Sequence, residues 1–205
     1  RALVDLGCAT GRVLRLAKQL NRQAIGIDQY PTMLELANEK LSKINVGTFR
    51  LINDDFCKLR LDEPFELVTC VANTFTMIVD SSKRLSLIKL IYERLPSRGK
   101  FLIWFMNDTG SFSTASQMQF ATPEGTLSYA RNVIEDEIKR TRNYTLTLRL
   151  NEISEVYSYL TAMISTREML SHAKLAGFKK ISLKGDLNGA DYSKESIYQV
   201  YIFEK

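Results

Sequence analysis

The residues best placed to do chemistry stand near the start of the chain, in Ala2-Leu3-Val4-Asp5-Leu6-Gly7-Cys8-Ala9-Thr10-Gly11-Arg12. A short apolar strand breaks into a turn of small residues and then into an amphipathic helix. Such a turn can cradle a nucleotide. Glycine takes φ > 0 and lets the backbone approach a ligand closely. The helix that follows offers unpaired N–H groups and the positive end of its dipole. A loop for a nicotinamide dinucleotide reads G-x-G-x-x-G, its third glycine allowing helix and strand to pack closely. Arg12 holds that third position here, which makes a nicotinamide-dependent dehydrogenase the least favoured nucleotide reading. A glycine loop alone is a weak signal, since any tight strand-to-helix turn would give one. Asp28 adds a second signal, because it ends the short strand pattern Gln23-Ala24-Ile25-Gly26-Ile27. An acidic residue about 20 places past the loop, at a strand end, can accept hydrogen bonds from ribose hydroxyls. The competing reading is a turn or helix-capping Asp ahead of Pro31.

Asp5-x-Gly7-x-Ala9-x-Gly11 resembles the D/E-x-G-x-G-x-G signature of class I S-adenosylmethionine-dependent methyltransferases, with Ala9 where the middle glycine is usual. The resemblance implies S-adenosylmethionine as cofactor, held by Asp5, Gly7, Cys8, Ala9 and Gly11, and by Asp28 and Gln29 at the next strand end. It extends to Phe49-Arg50-Leu51-Ile52-Asn53-Asp54-Asp55-Phe56. There Asp55 would accept from the adenine amino group, and Phe56 would offer a backbone N–H and an apolar face. Asp54 is the rival to Asp55, and a solvated turn is the plainer reading of both. Cys70 and Val71, at the end of a fourth strand, complete the implied cofactor set. The following Asn73-Thr74-Phe75 resembles the N-S/T-F stretch of small-molecule members, which borders the reactive methyl. It is not the [D/N]-P-P-[Y/F] motif of enzymes that methylate amino groups of DNA bases or protein glutamine.

The chemistry this implies is displacement at the methyl of a sulfonium. A dedicated base is optional, because aligning the reactants can itself contribute roughly 7–11 kcal/mol. Asn107 and Asp108 follow the fifth strand and are the candidate catalytic residues. Asn73, Tyr144 and Arg149 are the candidate substrate contacts. Tyr157 and Tyr159 are read first as packed strand aromatics. With one histidine, His172, and no CxxC spacing, no metal site is expected. His172 is expected at a surface or half-buried helix position.

The chain has 205 residues, 45% of them hydrophobic, enough for one well-packed domain. No apolar run approaches the roughly 20 residues needed to span a bilayer, and Phe101 to Met106 reads as a buried strand. Cys8, Cys57 and Cys70 read as reduced small residues, so a cytoplasmic location without membrane contact is expected. The formal net charge of +5 permits an anionic partner without demanding one. Its densest cluster, Lys139, Arg140 and Arg142, is expected on a solvated hairpin turn.

The elements that must position these residues alternate through the first half. Strands are expected near 2–6, 23–28, 47–53, 65–72 and 99–106, and helices near 12–21, 32–43 and 83–95. That alternation argues for a parallel, doubly wound sheet with ligands beyond its carboxyl edge. From residue 110 to 163 the pattern turns to period 2, as in Tyr144-Thr145-Leu146-Thr147-Leu148-Arg149-Leu150, which fits antiparallel strands with one wet face. A helix capped by Thr166 and ending at Gly177 follows. Two last strands, about 178–185 and 196–204, would form the antiparallel hairpin of the family. The expected fold is therefore a Rossmann-like seven-stranded sheet built from 1–109 and 164–205, with 110–163 inserted as a β-rich substrate cap. Leu95-Pro96-Ser97-Arg98-Gly99 stands where the family usually has L-K-P-G-G. The chain opens at Arg1, and the resemblance implies preceding residues that help close the site.

The reading these features favour is a methyltransferase that acts on a small-molecule acceptor. The basic balance keeps an RNA methyltransferase as an alternative, although nucleic acid is the less favoured partner. A non-catalytic S-adenosylmethionine-binding module is the other. Neither the acceptor atom nor the oligomeric state can be read from the sequence.

Overall fold

In a computed structural model of the chain, residues 2–45, 47–58, 64–107 and 115–205 are described. Strands β1 (Ala2–Leu6), β2 (Ala24–Asp28), β3 (Phe49–Asn53), β4 (Phe65–Cys70) and β5 (Lys100–Met106) alternate with helices α1 (Arg12–Gln19), α2 (Pro31–Ser42) and α3 (Ser81–Arg94). A four-stranded run follows: β6 (Ala115–Thr122), β7 (Gly125–Asp136), β8 (Thr141–Leu150) and β9 (Ile153–Ala162). Helix α4 (Thr166–Ala176) and strands β10 (Lys180–Lys184) and β11 (Tyr198–Glu204) complete the chain. The larger sheet has the order β10-β11-β5-β4-β1-β2-β3. It is the seven-stranded Rossmann-like sheet expected from the alternation together with the resemblance. Strand β11 pairs antiparallel with both β5 and β10. Its first residues therefore lie at the same edge as the last residues of β5.

Both faces of this sheet are covered, which is why β1 and β2 read as continuous apolar runs. Val4, Leu6, Ile25 and Ile27 pack with Leu87, Ile88 and Ile91 of α3 and Met169 and Ala173 of α4. On the other face Leu14 and Ala17 of α1 and Leu34, Ala37 and Leu41 of α2 form a second cluster with Cys8 and Ala24. Helix α1 lies very close to β2. A Cβ on Gly26 would stand 2.4 Å from Leu14 Cδ1 and 2.7 Å from Cys8 Sγ. The close helix–strand approach that a dinucleotide loop gains from its third glycine is here supplied by the strand.

The starts of α3 and α4 follow capping chemistry. Asp80 accepts from the backbone N–H groups of Ser82 and Lys83 at the head of α3. At α4 the cap is Ser165, one residue before the Thr166 expected from the sequence, and it accepts from the Glu168 N–H. The Glu168 side chain is turned towards α3, where Arg84 donates to it at 2.5 Å and Ser81 at 2.8 Å. The buried Arg84 also donates to the Val79 carbonyl at 2.8 Å. His172, expected at a surface or half-buried position, is buried, with Nε2 3.4 Å from Ser81 Oγ, and burial lowers its pKa. Gly177 ends α4 at φ 109°, as a C-cap glycine should. Arg98 makes the Pro96–Gly99 turn with φ 66°.

Strands β6 to β9 form an antiparallel meander, β6-β7-β8-β9. One face carries Leu127, Tyr129, Arg131, Tyr144, Leu146 and Tyr159; the other is mostly Ser, Thr, Asn and Gln. Residues 137–140 are the β7–β8 turn, and Lys139 and Arg140 there meet Asp136 and Glu137 at the surface. Arg142 is the exception to the expected solvated cluster. The turn ends before it, its side chain falls on the inner face, and it is buried against Glu135 at 2.6 Å. The expected cap boundary at 109–110 lies outside the described residues.

Candidate active site

Strands β1 to β5 run in parallel, and their carboxyl ends share one edge of the sheet. Strand order reverses between β1 and β4, which opens a crevice at that point. The loop after β1 lines it with three left-handed residues: Gly7 at φ 69°, Ala9 at φ 44° and Gly11 at φ 82°. Gly7 and Cys8 donate to the Ile27 carbonyl at 2.8 and 3.0 Å. Ala9 N–H donates to Asp28 Oδ2 at 2.8 Å, and Tyr30 N–H donates to Asp28 Oδ1 at 3.0 Å. Asp28 thus caps a turn, as the plainer reading held, and also fastens the glycine loop to β2. A carboxylate has about four lone-pair sites, so two backbone donors leave it able to accept two more. Gln29 beside it is exposed.

Asp5 lies beneath the loop rather than at its mouth. It is buried and accepts from Thr69 Oγ1 at 2.6 Å, which links β1 to β4 across the switch point. Burial raises its pKa to about 7; the Thr69 hydrogen bond opposes this and the Asp28 charge adds to it. Burial also pushes the Cys8 thiol up to about 12, with Asp5 and Asp28 adding. Cys70 is wholly buried in the core, so only its backbone can face the crevice, and Val71 beside it is half-buried.

After β3, the Asp54 N–H and the Asn53 side-chain amide both donate to the Asp28 carbonyl, at 3.2 and 3.0 Å. Asp54 is exposed and accepts from the Asp55 N–H at 2.7 Å. Asp55 is the more enclosed of the two and accepts from the Cys57 N–H at 2.9 Å. Phe56 packs half-buried against the main core.

A 3-10 turn, Thr74–Met77, follows β4. Ala72 and Asn73 before it are both left-handed, at φ 57° and 69°, a pairing of non-glycine residues that costs of order 1–3 kcal/mol each. Asn73 is held by its surroundings: Oδ1 accepts from Met106 N–H at 2.7 Å, and its carbonyl accepts from Thr76 Oγ1 at 2.7 Å. A Cβ on Gly7 would come 2.2 Å from Thr74 Cγ2. The glycine loop and the Asn73 segment therefore touch.

Beyond Asn73 a cavity of about 140 Å³ lies between the sheet edge and the inner face of the meander. Asn73, Thr76, Phe105 and Met106 form its floor, and Tyr129, Arg131, Arg142, Tyr144, Tyr159 and Thr161 form its roof. Tyr144 and Tyr159 face each other across β8 and β9 with their rings stacked, 4.8 Å apart and 3° from parallel. Burial raises the pKa of both phenols.

Two expected residues fall elsewhere. Arg149 is exposed and does not line the cavity. It stands five residues from Tyr144 on one strand, and an odd separation puts the two side chains on opposite faces. The cavity arginines are Arg131 and Arg142, which alternation counted from Tyr144 could have found in the latter case. Asn107 is buried, and its amide serves the C-terminal segment. Nδ2 donates to the carbonyls of Lys194 and Ser196, while Oδ1 accepts from Gln199 Nε2 and the Tyr192 hydroxyl. It clamps that segment to the end of β5. Asp108 lies outside the described residues. Among the described residues no His, Cys, Asp and Glu cluster could hold a metal, and no helix is long and apolar enough to cross a membrane.

Residues 3–99 match a family described as a methyltransferase domain. The chain is similar to a carboxy-S-adenosyl-L-methionine synthase of Trichodesmium erythraeum, 25% identical over 181 residues, which covers 82% of this chain and 70% of that protein. Its fold is similar to that of the CcbJ methyltransferase of Streptomyces caelestis, with a TM-score of 0.88 at 20% identity, covering 99% of this chain and 82% of the other. It is similar too to CalS10 of Micromonospora echinaspora, an amino pentose methyltransferase solved with S-adenosylmethionine bound, with a TM-score of 0.74 at 16% identity and the same coverages. A glycine loop and an acidic strand end thus fall inside the stretch that matches a methyltransferase domain, and the whole chain has a fold similar to that of solved methyltransferases, one of them with S-adenosylmethionine bound.

Proposed function

We propose that this enzyme methylates a small molecule held between the Rossmann-like core and the meander, which serves as its substrate cap. The observation that carries the reading is the cavity of about 140 Å³ beside Asn73, a volume suited to one small group. The neighbouring solved structures named as amino pentose and sugar N-methyltransferases support an acceptor of that size.

The crevice residues fit the cofactor. Gly7 has no room for a side chain because Thr74 fills that space, which seats the loop against the segment after β4. Asp28 keeps acceptor capacity for a ribose diol. Asp55, with Phe56 packed beside it, suits the adenine end. When bound, S-adenosylmethionine supplies a methyl group on a positively charged sulfonium. The protein's part is orientation and exclusion of water. Asn73 is fixed by Met106 and Thr76 and borders both the loop and the cavity. Tyr144 and Tyr159 keep their protons at neutral pH and act there as hydrogen-bond donors rather than as bases. Alignment of this kind can supply roughly 7–11 kcal/mol without a dedicated base.

The test is incubation with methyl-labelled S-adenosylmethionine and a metabolite extract, followed by separation of small molecules, RNA and protein. Label is expected in the small-molecule fraction. Label confined to RNA or protein, or no transfer at all, overturns the proposal.

A further inference from the structure

Transfer of a methyl group does not require the cluster of side chains on the cavity roof. Tyr129 and Arg131 lie two apart on β7, Arg142 and Tyr144 on β8, and Tyr159 and Thr161 on β9. A period of two puts each pair on one face. Register brings the pairs together: Arg142 stands opposite Thr161, and Tyr144 opposite Tyr159. Burial raises the pKa of Tyr144, and the nearby Arg142 and Arg131 oppose the rise; Arg131 does the same at Tyr159. Two guanidiniums and a group of hydroxyls therefore meet in one enclosed space. A guanidinium only donates hydrogen bonds, and a protonated phenol can donate as well. Among the described residues no carboxylate lines the cavity; Glu135 meets Arg142 at Nε.

We propose that this roof binds an oxyanion, a carboxylate or a phosphate, carried by the methyl acceptor. The inference rests on reading the cavity as the acceptor site, and it narrows the acceptor to a small acid. The planar guanidinium fork matches carboxylate and phosphate oxygens in pairs, and such charge-assisted bonds are about twice as strong as neutral ones. The size agrees with a compact acid, since an apolar cavity of about 150 Å³ takes up benzene. The stacked Tyr144–Tyr159 wall gives a ring-shaped body a flat surface to lie on. With the acid at the roof, the rest of the molecule points to Asn73 and Thr76 on the floor.

The test uses benzoate and phenyl phosphate as anionic probes, and benzamide and benzyl alcohol as neutral ones. Each is titrated calorimetrically into the whole chain, with and without S-adenosylhomocysteine. At least one anion should bind tenfold or more tightly than the neutral rings. Benzoate against phenyl phosphate decides which oxyanion is preferred. Arg131→Gln should bring the preference below twofold while leaving S-adenosylhomocysteine affinity unchanged. Tyr159→Phe, which keeps the stacked ring, should weaken anion binding several-fold and serves if Arg131→Gln does not fold. Neutral rings binding as well as acids, no acid binding, or an unchanged preference in the folded variants overturns the inference. Failure of S-adenosylhomocysteine itself to bind counts instead against the assignment of the cofactor crevice, and the probe comparison still decides the anion question.

Discussion

Asp28 accepts a hydrogen bond from the backbone N–H of Ala9 at 2.8 Å, so one carboxylate both shapes the glycine loop and borders the crevice it encloses. Removing it should do two kinds of damage. Asp28→Ala should weaken S-adenosylmethionine binding by at least tenfold in a calorimetric titration. Asp28→Asn keeps one acceptor oxygen for a backbone donor and should fall between the two. Equal affinity in all three proteins would rule out a ribose contact here.

Ala9 is left-handed at φ 44° where its two loop companions are glycine. The left-handed conformation costs an L-residue roughly 1–2 kcal/mol, against about 0.4–1 kcal/mol of extra unfolded-chain freedom that glycine brings. Ala9→Gly should therefore stabilise the fold by about 0.5–1 kcal/mol. A rise in the urea midpoint at constant slope would show it.

The buried Asp5 gives stability a pH dependence with a definite sign. Its pKa rises from 3.8 to about 7 on folding, chiefly through burial. Between those values the folded chain holds a proton that the unfolded chain has released. Stability from this group should be full below pH 4, fall as pH rises towards 7, and level off above that. At 1.36 kcal/mol per pKa unit the span is at most about 4 kcal/mol. Asp5→Asn keeps an acceptor for Thr69 and should flatten the profile measured by denaturation across pH 4–8.

Arg84 and Glu168 join α3 to α4 through a largely buried ion pair, 5% and 25% exposed. Breaking a buried pair by removing one partner costs about 3–5 kcal/mol, and the partial exposure of Glu168 should bring Arg84→Met towards the lower end. The loss should appear in thermal melting. Cofactor affinity should stay near that of the parent, because the pair lies outside the crevice.

The competing RNA reading makes its own prediction about salt. A protein that neutralises six to ten phosphates loses about a thousandfold or more in affinity between 50 and 200 mM salt. The outer face of the meander is mainly neutral, and Lys139 and Arg140 are matched by Asp136 and Glu137. Weak binding of transfer RNA with a shallow salt slope is expected from a filter assay; tight, steeply salt-dependent binding would favour the RNA reading.

Much of this architecture could be read from local pattern. The apolar runs of β1 and β2 and the spacing of Gly7, Gly11 and Asp28 all depend on near neighbours in the chain. The period-2 stretch around Tyr144 likewise fixed a strand with one apolar face. What local pattern left out was the choice of face. Arg149 and Arg142 are equally basic and on the same strand, and only parity relative to Tyr144 separates them. The clamping by Asn107 was hidden for a different reason: four partners of its side chain lie some 85 to 92 residues further on. The Arg84–Glu168 pair spans 84 residues, and no window along the chain contains both. Position in space decided these cases, whereas the loop and its strands were decided by position in sequence.

Strand β11 runs against its neighbours, so the stretch leading into it, residues 185–197, arrives at the rim beside the end of β5, where Asn107 grips it. A region far from the glycine loop in sequence is thereby tied to the carboxyl edge of the sheet. One amide therefore fastens the final hairpin to the strand that leads into the meander, and its loss would free two distant parts of the chain at once.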